Sequence, residues 1–432
     1  MKSFTILALS ASAALAATAV AGPASAAPVA VARAAALTPL AVTWTTANST
    51  ATGDQDVSAV AANRSGHVAV VWEDDRDSTG PEDAAHSEIF LRLFRDGVAV
   101  YELKLSAGGT AGTAWRHLSP DVGLDDKGNA VVVWADDPDG NGFYNIPYRV
   151  VSPTGTILGS GNANASATGQ QIAPAVAVDP DGTPGSPSAV AFTVVWEDVQ
   201  DPNPATVKAS GFTNVTTKAY EVTASQTTGA HHRPDVAVSA AGDATIVWTE
   251  DGDANGFDNI GLVRLAKANG AVTLSRRTAN ATGDGQQRDA SVAANMTGEF
   301  TVAWESDHTG VPTVWTRSFT AAGNPRHADV EVSPQPGATA PSTGIDDQAN
   351  VVVGWTIPAN GLDVWARGFN PDGTTAGRLP AQFYTDLTTG RQEQPAVAVS
   401  PWGEIALTFT DDNDGNQFDQ IRLGLGGANS DW

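Results

Sequence analysis

The chain has 432 residues, with 48 acidic side chains against 24 basic ones, a formal net charge of −24 at pH 7 and no cysteine. So large an acidic excess argues against nucleic acid and anionic membrane surfaces as partners and fits cations, basic partners or neutral glycans. The lack of cysteine excludes disulfides, thiol chemistry and cysteine-based metal sites.

Residues 1–26 have the layout of a secretory signal peptide: Lys2 at the start, an apolar run from Phe4 to Ala21, and the small residues Ala24, Ser25 and Ala26 at a cleavage site. An Ala-rich linker over 27–39 follows. No later stretch has the roughly 18 continuous apolar residues of a membrane span. The expectation is a secreted, extracellular protein.

An isolated strand is predicted over 40–46 (LAVTWTT), and a repeated plan begins after it. Each copy has a short apolar run, a Gly turn (Gly66, Gly128, Gly242, Gly298, Gly403), then a nearly continuous apolar run. The second run ends in Trp72, Trp134, Trp196, Trp248, Trp304, Trp355 and, in the last copy, Phe409. These landmarks recur at intervals of roughly 50 to 60 residues, a period of arrays and propellers. The second run does not alternate apolar with polar, so both of its faces should be covered. An acidic loop comes next, then a third run with Ile89, Ile146, Ile260, Val314, Val364 or Ile421, then a fourth after a turn such as Asn370-Pro371-Asp372-Gly373.

Seven copies of four short strands predict an all-β fold over 40–425: a seven-bladed β-propeller of four-stranded antiparallel blades. The last copy stops after its third strand, and one strand stands spare at the other end. The N-terminal strand is therefore expected to complete the last blade and close the ring, leaving 426–432 as a tail.

Three loops after the second strand are close relatives. They carry Asp137, Asp139 and Asn141; Asp251, Asp253 and Asn255; and Asp412, Asp414 and Asn416, with a further carboxylate at Asp258 and Asp419 in the last two. Oxygen ligands at i, i+2 and i+4 are what a hard cation such as Ca²⁺ wants from a tight loop. The other reading is an acidic turn. A Phe follows in each: Phe143, Phe257 and Phe418.

With strands running from the axis outwards, these loops share one face with the connections between blades, which carry Asp54-Gln55-Asp56, Arg116-His117, Gln170-Gln171, His231-His232-Arg233, Gln286-Gln287-Arg288 and Arg391-Gln392-Glu393-Gln394. A recurrent basic residue on the third strand (Arg92, Arg149, Arg264, Arg317, Arg367) is expected to pair with a carboxylate of its own blade, such as Glu73, Glu197 or Glu305. The repeated Trp residues are expected to anchor blade packing; Trp115, Trp315, Trp365 and Trp402 stand off that position and, if exposed, suit stacking on sugars. No nucleophile elbow, zinc-protease helix or phosphate loop is present.

The pattern "P-x-V-A-x-x-x-x-G-x-x-V-V-V-W", an acidic loop, then "I-x-x-R", seen over 120–155 and 234–270, resembles secreted bacterial repeat proteins of actinobacterial type. The resemblance covers roughly 40–425 and implies a propeller without implying an activity. The functional expectation is a monomeric binding module for an extracellular glycan or protein, with Ca²⁺ stiffening some loops. The alternatives are an extracellular polysaccharide hydrolase or lyase using carboxylates on the loop-bearing face, and a purely structural scaffold.

Overall fold

The computed structural model of the chain describes residues 40–76, 87–107, 116–182, 189–252, 254–333, 335–358, 361–379, 382–383, 390–413, 415 and 418–427. The expected leader, linker and last five residues of the tail lie outside them. The described residues form strands and turns and no helix. Their strands make seven four-stranded antiparallel sheets. Blades 1 to 6 occupy 55–104, 116–162, 170–223, 231–278, 287–331 and 339–383. Within a blade the strands are A to D outward from the axis, and the A strands of successive blades touch one another around the ring.

Blade 7 takes its strands A to C from Gln392–Val399, Ile405–Asp411 and Gln420–Gly426, and its D strand from Val42–Thr46. The clasp is thus formed by the strand nearest the N-terminus, two residues shorter than the predicted run. Its register sets Trp44 opposite Gly424. A Cβ on Gly424 would stand 2.6 Å from the Trp44 ring, so the glycine makes the space in which Trp44 meets Phe409 edge-on at 5.5 Å.

The continuous apolar B strands are explained by what lies on either side of each sheet. In blade 1, Val70 and Trp72 pack with Ala406, Ile421 and Leu423 of blade 7. The alternate residues Ala69 and Val71 pack with Val122, Val132 and Trp134 of blade 2. The two faces of one strand therefore serve two different cores, and seven such cores fill the seven blade boundaries. The six Trp landmarks and Phe409 are at most 1 % exposed, as blade anchors must be.

At one end of the axis the A–B turns are held by their own side chains. Asp125 accepts the Asn129 amide at 2.8 Å, and Asp346 accepts that of Asn350 at 2.8 Å. Gly128 sits at φ 86°, where a side chain is strained; Ala349 takes the same place in blade 6 at φ 63°. A cavity of about 130 Å³ lies here, lined by apolar residues such as Leu124, Val178 and Ile345 and by Asn63, Asp126, Asn295 and Asp347.

Candidate functional site

The B–C loops and D–A connections share the other face, and each inner strand enters it through a β-bulge. The register slips once in every A strand. At the slip stands a non-glycine residue in the left-handed region: Val57, Ser119, Ala173, Arg233, Asp289, Ala340 and Gln394, with φ between 46° and 55°. A bulge re-aims a side chain and frees an amide from the ladder. Strain repeated at one position in every blade marks a site the surrounding structure dictates.

The freed amides have a recurrent acceptor: the side chain that follows the Trp landmark of the preceding blade. Ser119 donates to Glu73 at 2.6 Å, Arg233 to Glu197 at 3.2 Å, Ala340 to Glu305 at 2.7 Å, Asp289 to Thr249 at 3.2 Å and Gln394 to Thr356 at 3.2 Å. At the closing boundary Thr410 and the Val57 amide both donate to the Gln394 side chain. The expected pairing of third-strand arginines with a carboxylate of their own blade holds for Arg92 with Glu102 at 3.7 Å and for Arg317 with Asp329 at 3.6 Å, but Glu73, Glu197 and Glu305 are not those carboxylates. Glu73, Glu197 and Glu305 lock one blade to the next, while Arg92, Arg317 and Arg367 donate to the carbonyls of Ala47, Ala279 and Val332, each at the outer edge of the preceding blade. Lys218 uses the equivalent carbonyl of Ala163. A Glu or Thr after the Trp in six of seven copies was the sequence signal for the inter-blade lock.

The polar residues of the D–A connections separate into two groups. Gln55, His117, Gln171, His231, Gln287 and Gln392 are buried. Gln55, Gln171 and Gln287 each donate to a carbonyl of their own connection, and His231 lies edge-on to Trp248 with Nδ1 3.0 Å from Glu250. Their neighbours face out and pair across loops. His232 bonds Glu197 at 2.9 Å, which raises its pKa, and Arg233 pairs with Asp289. Arg288 donates to Asp258 at 2.7 Å, and Arg391 to Asp419 at 2.7 Å.

Of the loop residues singled out as oxygen ligands, Asp137, Asp139 and Asn141 form a self-bonded turn. Asp137 accepts the amides of Asn141 at 3.0 Å and Gly142 at 2.9 Å. The Asn141 side chain donates to Asp139 at 2.9 Å and accepts the Phe143 amide at 2.7 Å. Blade 4 repeats this: Asp251 accepts the amides of Asn255 and Gly256 at 3.1 Å each, and Asn255 accepts that of Phe257 at 2.7 Å. Asp258 and Asp419 turn instead to their arginines. Asp412 accepts the Gly415 amide through its backbone carbonyl. Asp253, Asp414 and Asn416 lie outside the described residues, as does Trp115. Among the described residues no three His, Asp or Glu side chains converge as a metal cluster. Of the other Trp residues, Trp315 and Trp365 pack against blade cores, and Trp402 is 51 % exposed on the A–B turn side.

Carboxylates crowd where blade 7 meets blade 1. Asp56 lies opposite Glu73 across the strand pair. The Asp54 carbonyl accepts the Asp75 amide, and its side chain accepts the Asp419 amide at 2.7 Å. Burial, then the charges of Asp54, Asp75 and Asp419, push Asp56 up to about 7. Burial, then Asp56, pushes Glu73 up to about 8. Burial also raises Asp419 to about 6, opposed by Arg391. Deeper along the inner strands, Asp121 and Asp235 accept the Val176 and Val292 amides of the next blade, and burial raises them to about 7 and about 6.

No protein-family model and no curated protein sequence matches the chain. Solved structures resemble it at low identity. A Dyadobacter fermentans protein of unknown function is 11 % identical with a TM-score of 0.49, over 90 % of this chain and 99 % of that one. An α-L-arabinofuranosidase from Fusarium graminearum is 10 % identical with a TM-score of 0.49, over 74 % and 95 %. The NanB sialidase from Streptococcus pneumoniae is 10 % identical with a TM-score of 0.46, over 88 % and 69 %. At this identity and overlap none of them assigns an activity to this chain.

Proposed function

We propose that the chain is a secreted binding module that takes an extracellular glycan at its loop-bearing face. The observation that carries this is the ring of bulged inner strands, which presents His232, Arg233, Arg288 and Arg391 on the loop-bearing face, each fixed by a carboxylate partner: Glu197, Asp289, Asp258 and Asp419. Such a surface offers donors and acceptors to hydroxyl groups without reorganising, and pre-organisation is what lowers the cost of binding. The test is retention of the full chain on a panel of soluble and insoluble polysaccharides, with released reducing ends measured in parallel. Saturable retention without release supports a binding module. No retention by any member sinks it, and an extracellular protein becomes the ligand to seek.

Ca²⁺ belongs to the same proposal. Asp137, Asp139 and Asn141 in blade 2, and Asp251 with Asn255 in blade 4, would hold it, because their oxygens already crowd into one turn. Arg288 and Arg391 keep Asp258 and Asp419 out of that set. A ligand that binds only the folded form raises the melting temperature by mass action. Millimolar Ca²⁺ after EGTA treatment is expected to raise it by several degrees, less so in Asp251→Ala. An unchanged midpoint returns these loops to acidic turns.

A second reading rests on Asp56 and Glu73. Two facing carboxyl groups that keep protons near neutral pH are what general acid catalysis of glycoside cleavage requires. It predicts reducing-end release from some glycan, lost in Glu73→Gln with melting unchanged at pH 5, where the Glu73 carboxyl holds its proton and Gln keeps the acceptor for the Ser119 amide.

A further inference from the structure

Phe143 and Phe257 hold the same place in the B–C loops of blades 2 and 4, and both are exposed, at 53 % and 44 %. Other phenylalanines, such as Phe300 and Phe409, are fully buried, so these two are set apart. Exposure here does not come from a loose loop. The amide of each Phe is tied to an Asn side chain two residues earlier, at 2.7 Å in both loops. The residues on either side are then clamped by one glutamine from the D–A connection entering the following blade. Tyr144 donates its amide to Gln170 at 3.2 Å, and Gln170 donates to the Gly142 carbonyl. Asp258 donates its amide to Gln286 at 2.9 Å, and Gln286 donates to the Gly256 carbonyl at 3.1 Å. These three hydrogen bonds in each loop hold the backbone that carries the ring, and the ring stays exposed.

Keeping a large apolar side chain half exposed forgoes burial energy that a rotated loop could recover. Two copies of the same brace, both spent on an exposed phenyl ring, point to a partner that covers it. Oxygen-bearing side chains flank each Phe in its loop: Asp139 and Asn141 before Phe143, and Asn255 and Asp258 on either side of Phe257, the last held by Arg288.

We infer that Phe143 and Phe257 are two stacking platforms for the sugar rings of one neutral polysaccharide chain. This rests on the glycan-binding reading above and deepens it. A phenyl face accepts the C–H face of a pyranose or furanose ring, and the adjacent carboxylate and amide oxygens accept its hydroxyl protons. A charge of −24 disfavours an anionic polymer. An aromatic ring beside carboxylates would also attract a cationic peptide, which becomes an outcome of the test. Because the platforms lie in blades 2 and 4, a chain long enough to reach both gains by effective concentration, and short oligosaccharides do not.

The experiment is affinity electrophoresis of the full chain in gels containing a soluble β-glucan, xylan, galactomannan or arabinan, with hyaluronan and polylysine as charged controls. The proteins are wild type, Phe143→Ala, Phe257→Ala, the double variant, and Phe257→Tyr. Both rings are exposed, so melting temperatures should stay within a degree or two of wild type. The inference expects retention by a neutral polysaccharide, weakened at least about tenfold in each Ala variant, more in the double variant, and kept in Phe257→Tyr. Retention equal to wild type in both Ala variants overturns the platforms and leaves glycan binding standing. No neutral retention by wild type overturns both. Retardation by polylysine alone assigns the rings to a basic partner and overturns the sugar reading.

Discussion

Blades 4 and 7 carry nearly the same loop sequence and hold it by different means. In blade 4 the amide of Asp258 goes to the neutral side chain of Gln286, and the Asp258 carboxylate reaches a half-exposed Arg288. In blade 7 the amide of Asp419 goes to Asp54, which stands where blade 4 has its glutamine, and the Asp419 carboxylate is nearly buried beside Arg391. Two differences in the neighbouring connection separate a braced loop from a crowded seam: Asp54 stands in the place of Gln286, and Asp56 in the place of Arg288. The crowding extends to Asp56, Glu73 and Asp75, and it falls at the boundary where the ring is closed by the N-terminal strand. The comparison shows that a repeat can be kept in sequence while its electrostatics are rewritten by the neighbouring connection.

The largest effect that would break this comparison is a pH dependence. Asp419, Asp56 and Glu73 have folded-state pKa values raised to about 6, about 7 and about 8. The folded state therefore holds protons that the unfolded chain, with carboxylates near 4, has released. Stability contributed by these groups is full below pH 4 and is lost as pH rises through 8. Melting temperature should fall by several degrees between pH 5 and pH 8.5, and the slope should flatten in Asp56→Asn. A flat profile in wild type would show that the seam is not crowded.

Next in size is the removal of each loop's arginine. Arg391→Ala leaves a nearly buried Asp419 facing Asp54 and Asp412, and should cost about 1 to 3 kcal/mol at pH 8 in denaturant titration, less at pH 5. Arg288→Ala exposes a carboxylate already in contact with water and should cost under about 1 kcal/mol. Equal costs would remove the distinction between the loops. The smallest and sharpest change is Asp54→Gln, which gives the seam the glutamine brace of blade 4. It should stabilise by about 0.5 to 1 kcal/mol at pH 8, because one carboxylate leaves the cluster and its hydrogen bond to the Asp419 amide is kept. A loss of stability would mean that Asp54 serves the closure by its charge.

Much of the site was legible in part. The acidic turns, the Phe after each and the Gln, Arg and His of the D–A connections were all visible as a pattern. Their division of labour was not. Gln170 and Gln171 are adjacent in the chain, yet Gln171 is sealed under its own loop while Gln170 clamps the loop of another blade. Strand alternation predicts that they diverge, but not what each meets. Opposite charges in one repeat invite pairing, so the sequence points Glu73, Glu197 and Glu305 to arginines of their own blade. Their actual partners are bulge amides 35 to 46 residues away in the next blade. No local period encodes a bulge, so the repeated Glu or Thr after the Trp marks an acceptor in the sequence without naming its donor.

The sequence by itself determined the architecture of this protein. Continuous apolar runs ending in Trp require sheets covered on both faces, seven copies set the ring, and one spare strand at the start against one missing at the end set the closure. These are consequences of burial and of strand counting, which are properties of the chain. Only the tertiary structure decided which polar groups serve the fold and which face outward. That choice depends on contacts between blades, where a buried hydrogen bond costs more to leave unmade than an exposed charge pair contributes. The same sequence motif therefore became a braced platform in blades 2 and 4 and an acidic seam in blade 7.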